Sequence, residues 1–374
     1  MRRGSPAKIV DDKGNVFSSI TALGKALGID RHSISDEIKN SGVFQCGKRN
    51  YRLVESPEVE LEAHGDDKEF IEYMEYKKRT KEMTNDLSFE RHAIEFKKTK
   101  GGERYAIALF SDAHIEETVT AESVLNKNEY DVEIAKKRIL KYFANLAECV
   151  KVDEVNDLIF ASLGDTISGF IHEELSQCNG LTPVEASKLA QDLIVSGMQH
   201  LRESTNLRDI YFVGIVGNHS RITKKIQHAN GFKMSYEWWM YNNIRDLCNA
   251  HGLNIKFILP ESEVAIVDVP CDSRRLLFCH GYQIRSTGTG TVCGIYPSLQ
   301  RQALKWAKVF QPDRIYMGHF HSCISITSAA VNGSIIGYNS YSLSNGFEYQ
   351  RPCQYYEVID TSIGQLLERK IYCD

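Results

Sequence analysis

The chain has 374 residues, more than one domain usually holds, so one large domain with a small appendage is the natural expectation. Apolar residues make up 42% and charged residues 25%, and the formal net charge is −4. That balance is ordinary for a globular protein and excludes a uniformly basic coat, a membrane span of ~18 apolar residues and an export signal behind the basic start.

Residues 1–55 read as a separate unit. "AKIVDDKGNVF" predicts a strand, a turn and a return, and "QCGKRNYRLV" a closing strand with Lys48, Arg49 and Arg52 exposed. Between them, Ile20, Leu23 and Leu27 mark one short helix and Ile34 and Ile38 a second, with "GID" as the turn. Ser18 or Ser19 and Asp30 are the candidate N-caps. Two short helices across a glycine-containing turn have the sequence shape of a helix-turn-helix. The stretch "DDKGNVFSSITALGKALGIDRHSIS" resembles the small helix-turn-helix repeats attached to intron-homing endonucleases. Ten Lys/Arg against six Asp/Glu leave residues 1–55 a surplus of four positive charges. The second helix would offer Arg31, His32, Ser33 and Ser35 to phosphates and base edges. The bland alternative is a small interaction module with a solvated face.

Residues 56–102 are dense in charge and read as a partly helical linker, with Phe70, Tyr73, Met74 and Lys77 on one helical face and Gly101 and Gly102 at its end. From residue 103 to 374, apolar strands alternate with amphipathic helices. Strands are predicted at "RYAIALF", "DLIFASL", "DIYFVGIV", "NIKFILP", "EVAIVDV", "RRLLFC" and "RIYM". Helices are predicted over 131–150, 183–203, 234–251 and 298–310. The tail, "ISITSAAVNGSIIGYNSYS" with "CQYYEVID" and "LLERKIYCD", reads as antiparallel strands. This order predicts an α/β domain with a layered sheet core.

Five of the strong strands end in a polar burst: Asp112 and His114; Gly164 and Asp165; Gly217, Asn218 and His219; His280; and Gly318, His319 and His321. Ligands in open α/β sheets bind beyond the carboxyl ends of the strands, so these bursts should converge. Imidazoles with carboxylates suit Mn, Fe, Zn or Ni. Seven donors exceed one tetrahedral site and fit two adjacent ions, which stabilise both the attacking and the leaving oxygen of a phosphoryl displacement. Any one burst could merely cap a strand; five in succession argue against that reading.

In order and content, D-x-H, G-D, G-N-H, a strand-end His and G-H-x-H resemble the calcineurin-like metallophosphoesterase family over residues 104–321. The resemblance implies a four-layer α/β/β/α sandwich. It also implies Asp112, His114 and His321 on one metal, Asn218, His280 and His319 on the other, and Asp165 between them. His219 would face the scissile phosphate as the catalytic acid or charge partner. Two positions depart from the pattern: Ser168 stands where many relatives carry a second carboxylate, and Ser220 where many carry an acid that orients the catalytic His.

The nuclease branch of the family shares the simple metal set, and Arg221 and Arg285 are the candidate substrate-binding residues, with Lys224 and Lys225 beside them, the bland alternative being ordinary solvated charge. Together these features predict a metal-dependent phosphodiesterase with two divalent ions of Mn type, acting on DNA as a nuclease. Its combination with a DNA-binding module is reminiscent of phage proteins. The alternatives are a phosphatase or small-molecule phosphodiesterase, and a DNA-binding protein with a scaffold-only phosphoesterase domain. The ten cysteines lack any C-x-x-C pair and read as buried thiols in a reducing cytoplasm, in a monomer or a dimer.

Overall fold

A computed structural model describes residues 8–13, 16–17, 20–41, 43–46, 49–54, 90–96, 103–173, 175–284 and 296–374. The chain forms two compact units, divided between Tyr76 and Lys77.

In the smaller unit, β1 (Lys8–Asp11), β2 (Val16–Phe17), α1 (Ile20–Leu27), α2 (Arg31–Ser41), β3 (Val43–Cys46) and β4 (Arg49–Val54) follow one another. The strands form one antiparallel sheet in the order β2-β1-β4-β3. Gly28 takes a left-handed φ of +68° at the end of α1, which a side chain would resist, and so frees the chain to turn into α2. Asp30 caps α2 by accepting from the amide of His32 at 2.9 Å. Leu23, Ile34 and Ile38 are buried with Ile9, Phe44 and Tyr51, so the helical stripes and the sheet share one small core. The closing segment makes two paired strands rather than one.

In the larger unit, the last part of the charged stretch contributes β5 (His92–Ala93), which pairs in parallel with a later strand and buries Ile94 and Phe96. The helix expected around Phe70 to Lys77 lies outside the described residues. Then come β6 (Arg104–Phe110), α3 (Val132–Val152), β7 (Asp157–Ser162), α4 (Pro183–Ser204), β8 (Asp209–Gly214), α5 (Tyr236–Ala250) and β9 (Ile255–Ile258). The rest is β10 (Val264–Val269), β11 (Arg274–Cys279), α6 (Tyr296–Val309), β12 (Arg314–Met317), β13 (Ile324–Ile326), β14 (Ala329–Val331), α7 (Ser340–Ser344), β15 (Cys353–Asp360) and β16 (Gly364–Tyr372).

Two six-stranded mixed sheets result, β16-β15-β6-β7-β8-β9 and β13-β14-β12-β11-β10-β5. Alternation along each strand fixes the layers. Ala106, Ala108 and Phe110 of β6 pack with Leu158 and Phe160 of β7 against α3, α4 and α5. The intervening Ile107, Leu109, Ile159 and Ala161 face the second sheet, where they meet Leu276, Phe278 and Tyr316. Leu277, Cys279, Ile315 and Met317 point away from them to Leu299 and Ala303 of α6. The order is therefore α/β/β/α, with the central strands apolar on both faces as doubly covered strands must be.

The tail forms the expected antiparallel pairs β13–β14 and β15–β16, but residues 332–344 between them make no strand. Arg138 donates to the carbonyls of Ile335 and Ile336 at 2.9 and 2.8 Å, and Asn128 to those of Ile336 and Tyr338 at 2.8 Å. Side chains thus take the backbone bonds a ladder would need, and Asn339 caps the short α7 by accepting from Ser342 at 3.0 Å. Among the described residues no helix is long and apolar enough to cross a membrane, and the cysteines there are free.

Gly197 is where α4 crosses α3: a Cβ there would lie 2.3 Å from the Phe143 ring, itself stacked between Phe110 and Phe160. Gly197→Ala should therefore cost about 1–3 kcal/mol through overpacking, read as a lower midpoint in urea denaturation, although alanine favours the helix.

Candidate metal centre

Each polar burst lies just past the C-terminal end of a strand: Asp112 after β6, Asp165 after β7, Asn218 after β8, His280 after β11 and His319 after β12. Strands β6, β7 and β8 are parallel neighbours in one sheet, as are β11 and β12 in the other, so all five loops open at matching ends. They interlock through backbone bonds. The amide of Asp112 donates to the carbonyl of Gly164 at 3.0 Å, that of His114 to Asp165 at 3.1 Å, and that of Gly318 to His280 at 2.8 Å.

The glycines of the motifs are there for want of room. A Cβ on Gly217 would lie 2.0 Å from Oδ1 of Asp165, and one on Gly318 2.6 Å from Oδ2 of Asp112. Asp112, His114, Asp165, His319 and His321 all adopt left-handed backbone, with φ between 46° and 73°. That conformation costs a non-glycine residue of order 1–3 kcal/mol and collects at functional sites.

The donors gather into two groups, Asp112 with His114 and His321, and Asp165 with His280 and His319, the ligand atoms of each within 4.8 Å of one another. All are buried except His319 and His321, which are half-buried. The proton positions follow from the surroundings. His280 donates from Nδ1 to the carbonyl of Leu163 at 2.6 Å, so its Nε2 faces Oδ2 of Asp165 at 2.8 Å. His114 is held at Nδ1 by the Ser168 hydroxyl at 2.9 Å, and its Nε2 meets Nε2 of His321 at 3.3 Å.

Burial lowers the His280 imidazole, but the Asp165 carboxylate outweighs it and lifts the group to about 9. Burial likewise opposes, and Asp112 reverses, the shift of His321, which ends above its ordinary value. Burial and neighbouring imidazoles push His114 well down and His319 to about 4. Both carboxylates are held low against burial, Asp112 by His321 and Asp165 by His280 first. Each group thus sets one imidazole against one carboxylate, His280 against Asp165 and His321 against Asp112. A divalent cation fits the same place, and two buried atoms lack any hydrogen-bond partner, Oδ1 of Asn218 and Nδ1 of His321. An amide oxygen left bare in a buried site costs about 1–3 kcal/mol, which coordination would recover. The two His/Asp groups are consistent with a dinuclear metal site.

His219 sits beside this set without belonging to either group. Its amide donates to Oδ1 of Asp165 at 2.8 Å, and its ring meets that of His114 edge to face at 4.8 Å. Ser220 does not orient it: the Ser220 hydroxyl faces Ser235 and Glu237 at 2.7 and 2.8 Å. The partner of His219 Nδ1 is the carbonyl of Ser168 at 3.1 Å. Arg221 turns its guanidinium to the carbonyl of Asn218. Arg285 lies outside the described residues. In the smaller unit His32 and Ser33 are exposed and Ser35 is half-buried on α2, while the side chain of Arg31 is outside the described set.

One residue that sequence reasoning passed over is Glu237, fully buried at the start of α5. Its carboxylate accepts from the amides of Thr166 and Gly217 at 2.6 and 2.7 Å and from Ser220, tying the Asp165 loop to the Asn218 loop. Burial, then the Asp165 charge, raises its pKa. Nothing local marks it, because its bonds span 17 to 71 residues of sequence.

No family model matches the chain, and no curated protein does. Among solved structures it is similar to a 5'-nucleotidase from Candida albicans, at 8% identity over 74% of this chain and 53% of that one, with a TM-score of 0.34. A protein of unknown function from Aquifex aeolicus aligns at 13% identity over 60% of this chain and 83% of the other, TM-score 0.26. A sulfate thiohydrolase from Thermus thermophilus aligns at 10% over 74% and 57%, TM-score 0.29. The chain spans about half the length of the 5'-nucleotidase. At TM-scores this low the chemistry has to be read from the residues.

Glu237→Ala would orphan two buried amides and a hydroxyl, so it should destabilise the protein by about 2–5 kcal/mol. Chemical denaturation checks this, and Glu237→Gln, which keeps an acceptor, should lose less.

Proposed function

We propose that residues 103–374, within the larger unit, form a two-metal phosphodiesterase with Mn-type ions, and that its substrate is DNA. The observation that carries this reading is the convergence of six His and Asp donors from four strand ends into two groups, with Asn218 Oδ1 and His321 Nδ1 buried and unpartnered. In it Asp112, His114 and His321 hold one ion, Asn218, His280 and His319 the other, and Asp165 lies between them. When bound, such a pair of ions supplies positive charge for the phosphoryl oxygens and acidifies an attacking water.

The chain's own residues do the rest. His219 gives its Nδ1 hydrogen to the carbonyl of Ser168, so as an imidazolium it holds a second proton at Nε2 that it can hand to the departing oxygen, leaving the neutral ring. Asp165 fixes the His219 backbone, so the proton donor and the metal cluster keep one spacing. Glu237 holds the two loops that carry Asp165 and Asn218. Arg221, half-buried at the rim, with exposed Lys224 and Lys225 beyond it, suits the backbone phosphates of a nucleic acid. Arg285 is proposed to act with them.

Residues 1–55 are proposed as a helix-turn-helix DNA-binding module, with Arg31, His32, Ser33 and Ser35 of the second helix as its contacts, His32 and Ser33 being exposed and Ser35 half-buried. Nuclease action, rather than hydrolysis of a free nucleotide, follows from that pairing of modules.

Purified protein with Mn2+ should cleave single- or double-stranded DNA and spare phosphomonoesters. Turnover confined to cyclic nucleotides or phosphomonoesters would favour a small-molecule enzyme instead. Asp165→Asn should abolish hydrolysis, whereas His219→Ala should keep both ions and slow turnover roughly 10²–10⁴-fold, the ion count being read by elemental analysis. Removing residues 1–55 should weaken DNA binding in a filter or anisotropy assay while leaving hydrolysis of a small aryl phosphodiester unchanged.

A further inference from the structure

The two acidic residues that follow the first motif, Glu116 and Glu117, belong to neither metal group, yet both reach the loop after Asp165. Oε2 of Glu117 accepts from the Ser168 hydroxyl at 3.1 Å, and that hydroxyl meets Nδ1 of His114 at 2.9 Å. A hydroxyl has one proton. Having given it to the carboxylate, Ser168 can only accept from His114, so Nδ1 must carry the hydrogen and Nε2 the lone pair. The direct distance from Nδ1 to Glu117 is 4.0 Å, too long for a hydrogen bond, so the serine is a necessary link. The other oxygen of Glu117 is held by Nδ2 of Asn339 at 3.2 Å, which limits the carboxylate's freedom to turn away.

Ser168 is itself clamped. Its amide and that of Gly169 both donate to Oε1 of the fully buried Glu116, at 2.9 and 2.8 Å. Gly169 has a φ of +59°, and a Cβ on it would lie 2.6 Å from the carbonyl oxygen of His219. The loop is thus pressed against the His219 segment, and the Ser168 carbonyl takes the Nδ1 hydrogen of His219. One serine serves both imidazoles, His114 through its side chain and His219 through its backbone.

We propose that Glu117 is a positioning residue of the metal centre: through the Ser168 hydroxyl it fixes His114 as the tautomer that presents Nε2 to the ion. The proposal rests on the two-metal reading above. It gives a chemical sense to the serine at position 168, since the carboxylate is still present but arrives from the neighbouring loop across one hydroxyl. Partners of this kind orient ligating imidazoles and raise their basicity, and losing them costs about 10–100-fold in metal affinity. A purely structural Glu117, bracing Asn339 and α7, would change folding stability and leave ion binding alone.

The test is Mn2+ titration of the full, chelator-stripped chain by calorimetry, with bound ions counted by elemental analysis. The parent should bind two ions. Glu117→Ala and Ser168→Ala should each weaken one of the two sites about 10–100-fold and spare the other, and the double substitution should add little to either, because both break one chain of bonds. Glu117→Gln should weaken the site less. Ser168→Asp placed in the Glu117→Ala protein should restore the lost affinity, since the carboxylate then meets His114 directly. Should Glu117→Ala fail to fold, Ser168→Ala and Glu117→Gln carry the comparison. Parent-like affinity at both sites in the folded single variants, losses that add in the double variant, or failure of the aspartate to restore binding would each overturn the proposal with the two-metal reading intact. A parent protein that binds no ion would remove that reading, and the role of Glu117 with it.

Discussion

Two buried carboxylates join the two sheets of the larger unit at the place where its chemistry is concentrated. Asp112 and Asp165 extend from neighbouring strands of one sheet. Asp112 accepts from the amide of His319 at 3.1 and 3.0 Å, and Asp165 faces Nε2 of His280 at 2.8 Å, both partners belonging to the other sheet. Apolar contact holds the sheets together along their faces, but it has no direction and does not set the register of one against the other. Charged hydrogen bonds at the rim do, because they are short, directional and costly to leave unmade. The joint between the layers and the candidate metal centre are therefore the same atoms.

That economy has a structural cost. Five of the six His and Asp residues of the two groups hold left-handed backbone, and the glycines between them leave no space for a side chain. Strain of this size persists only where the surroundings over-determine it. The surroundings here are visible: Glu237 and Glu116 each accept two loop amides, and Arg138 with Asn128 hold the carbonyls of residues 335–338 behind Asp112. Buried carboxylates facing inward-turned amides do here what a ladder does inside a sheet.

How far the sequence could be read depended on the range of each interaction. The five polar bursts stood out because each is a few residues at the end of an apolar run, and strand-end placement brings them together. The alternating faces of β6 and β7 were equally local. Hidden in the sequence were features set by topology. Glu237 looks like an ordinary first-turn acid of a helix, and its role exists only once β7 and β8 lie side by side. Ser220 occupies the position where many relatives carry the acid that orients the catalytic His, but its side chain turns to Ser235 and Glu237. His92–Phe96 carried too little pattern to be told from the charged stretch before it, and residues 335–338 make no strand because distant side chains take carbonyls of that stretch.

The left-handed residues also bear on how such a protein can drift. Aspartate tolerates that backbone better than histidine does, and glycine tolerates it best. At positions 114, 319 and 321 a change to glycine would ease the chain while deleting a donor. The loops would then lose those imidazoles without losing their shape, since the amide clamps of Glu116 and Glu237 act on other residues. The sandwich could therefore persist, and gain stability, while the two His/Asp groups were lost from it.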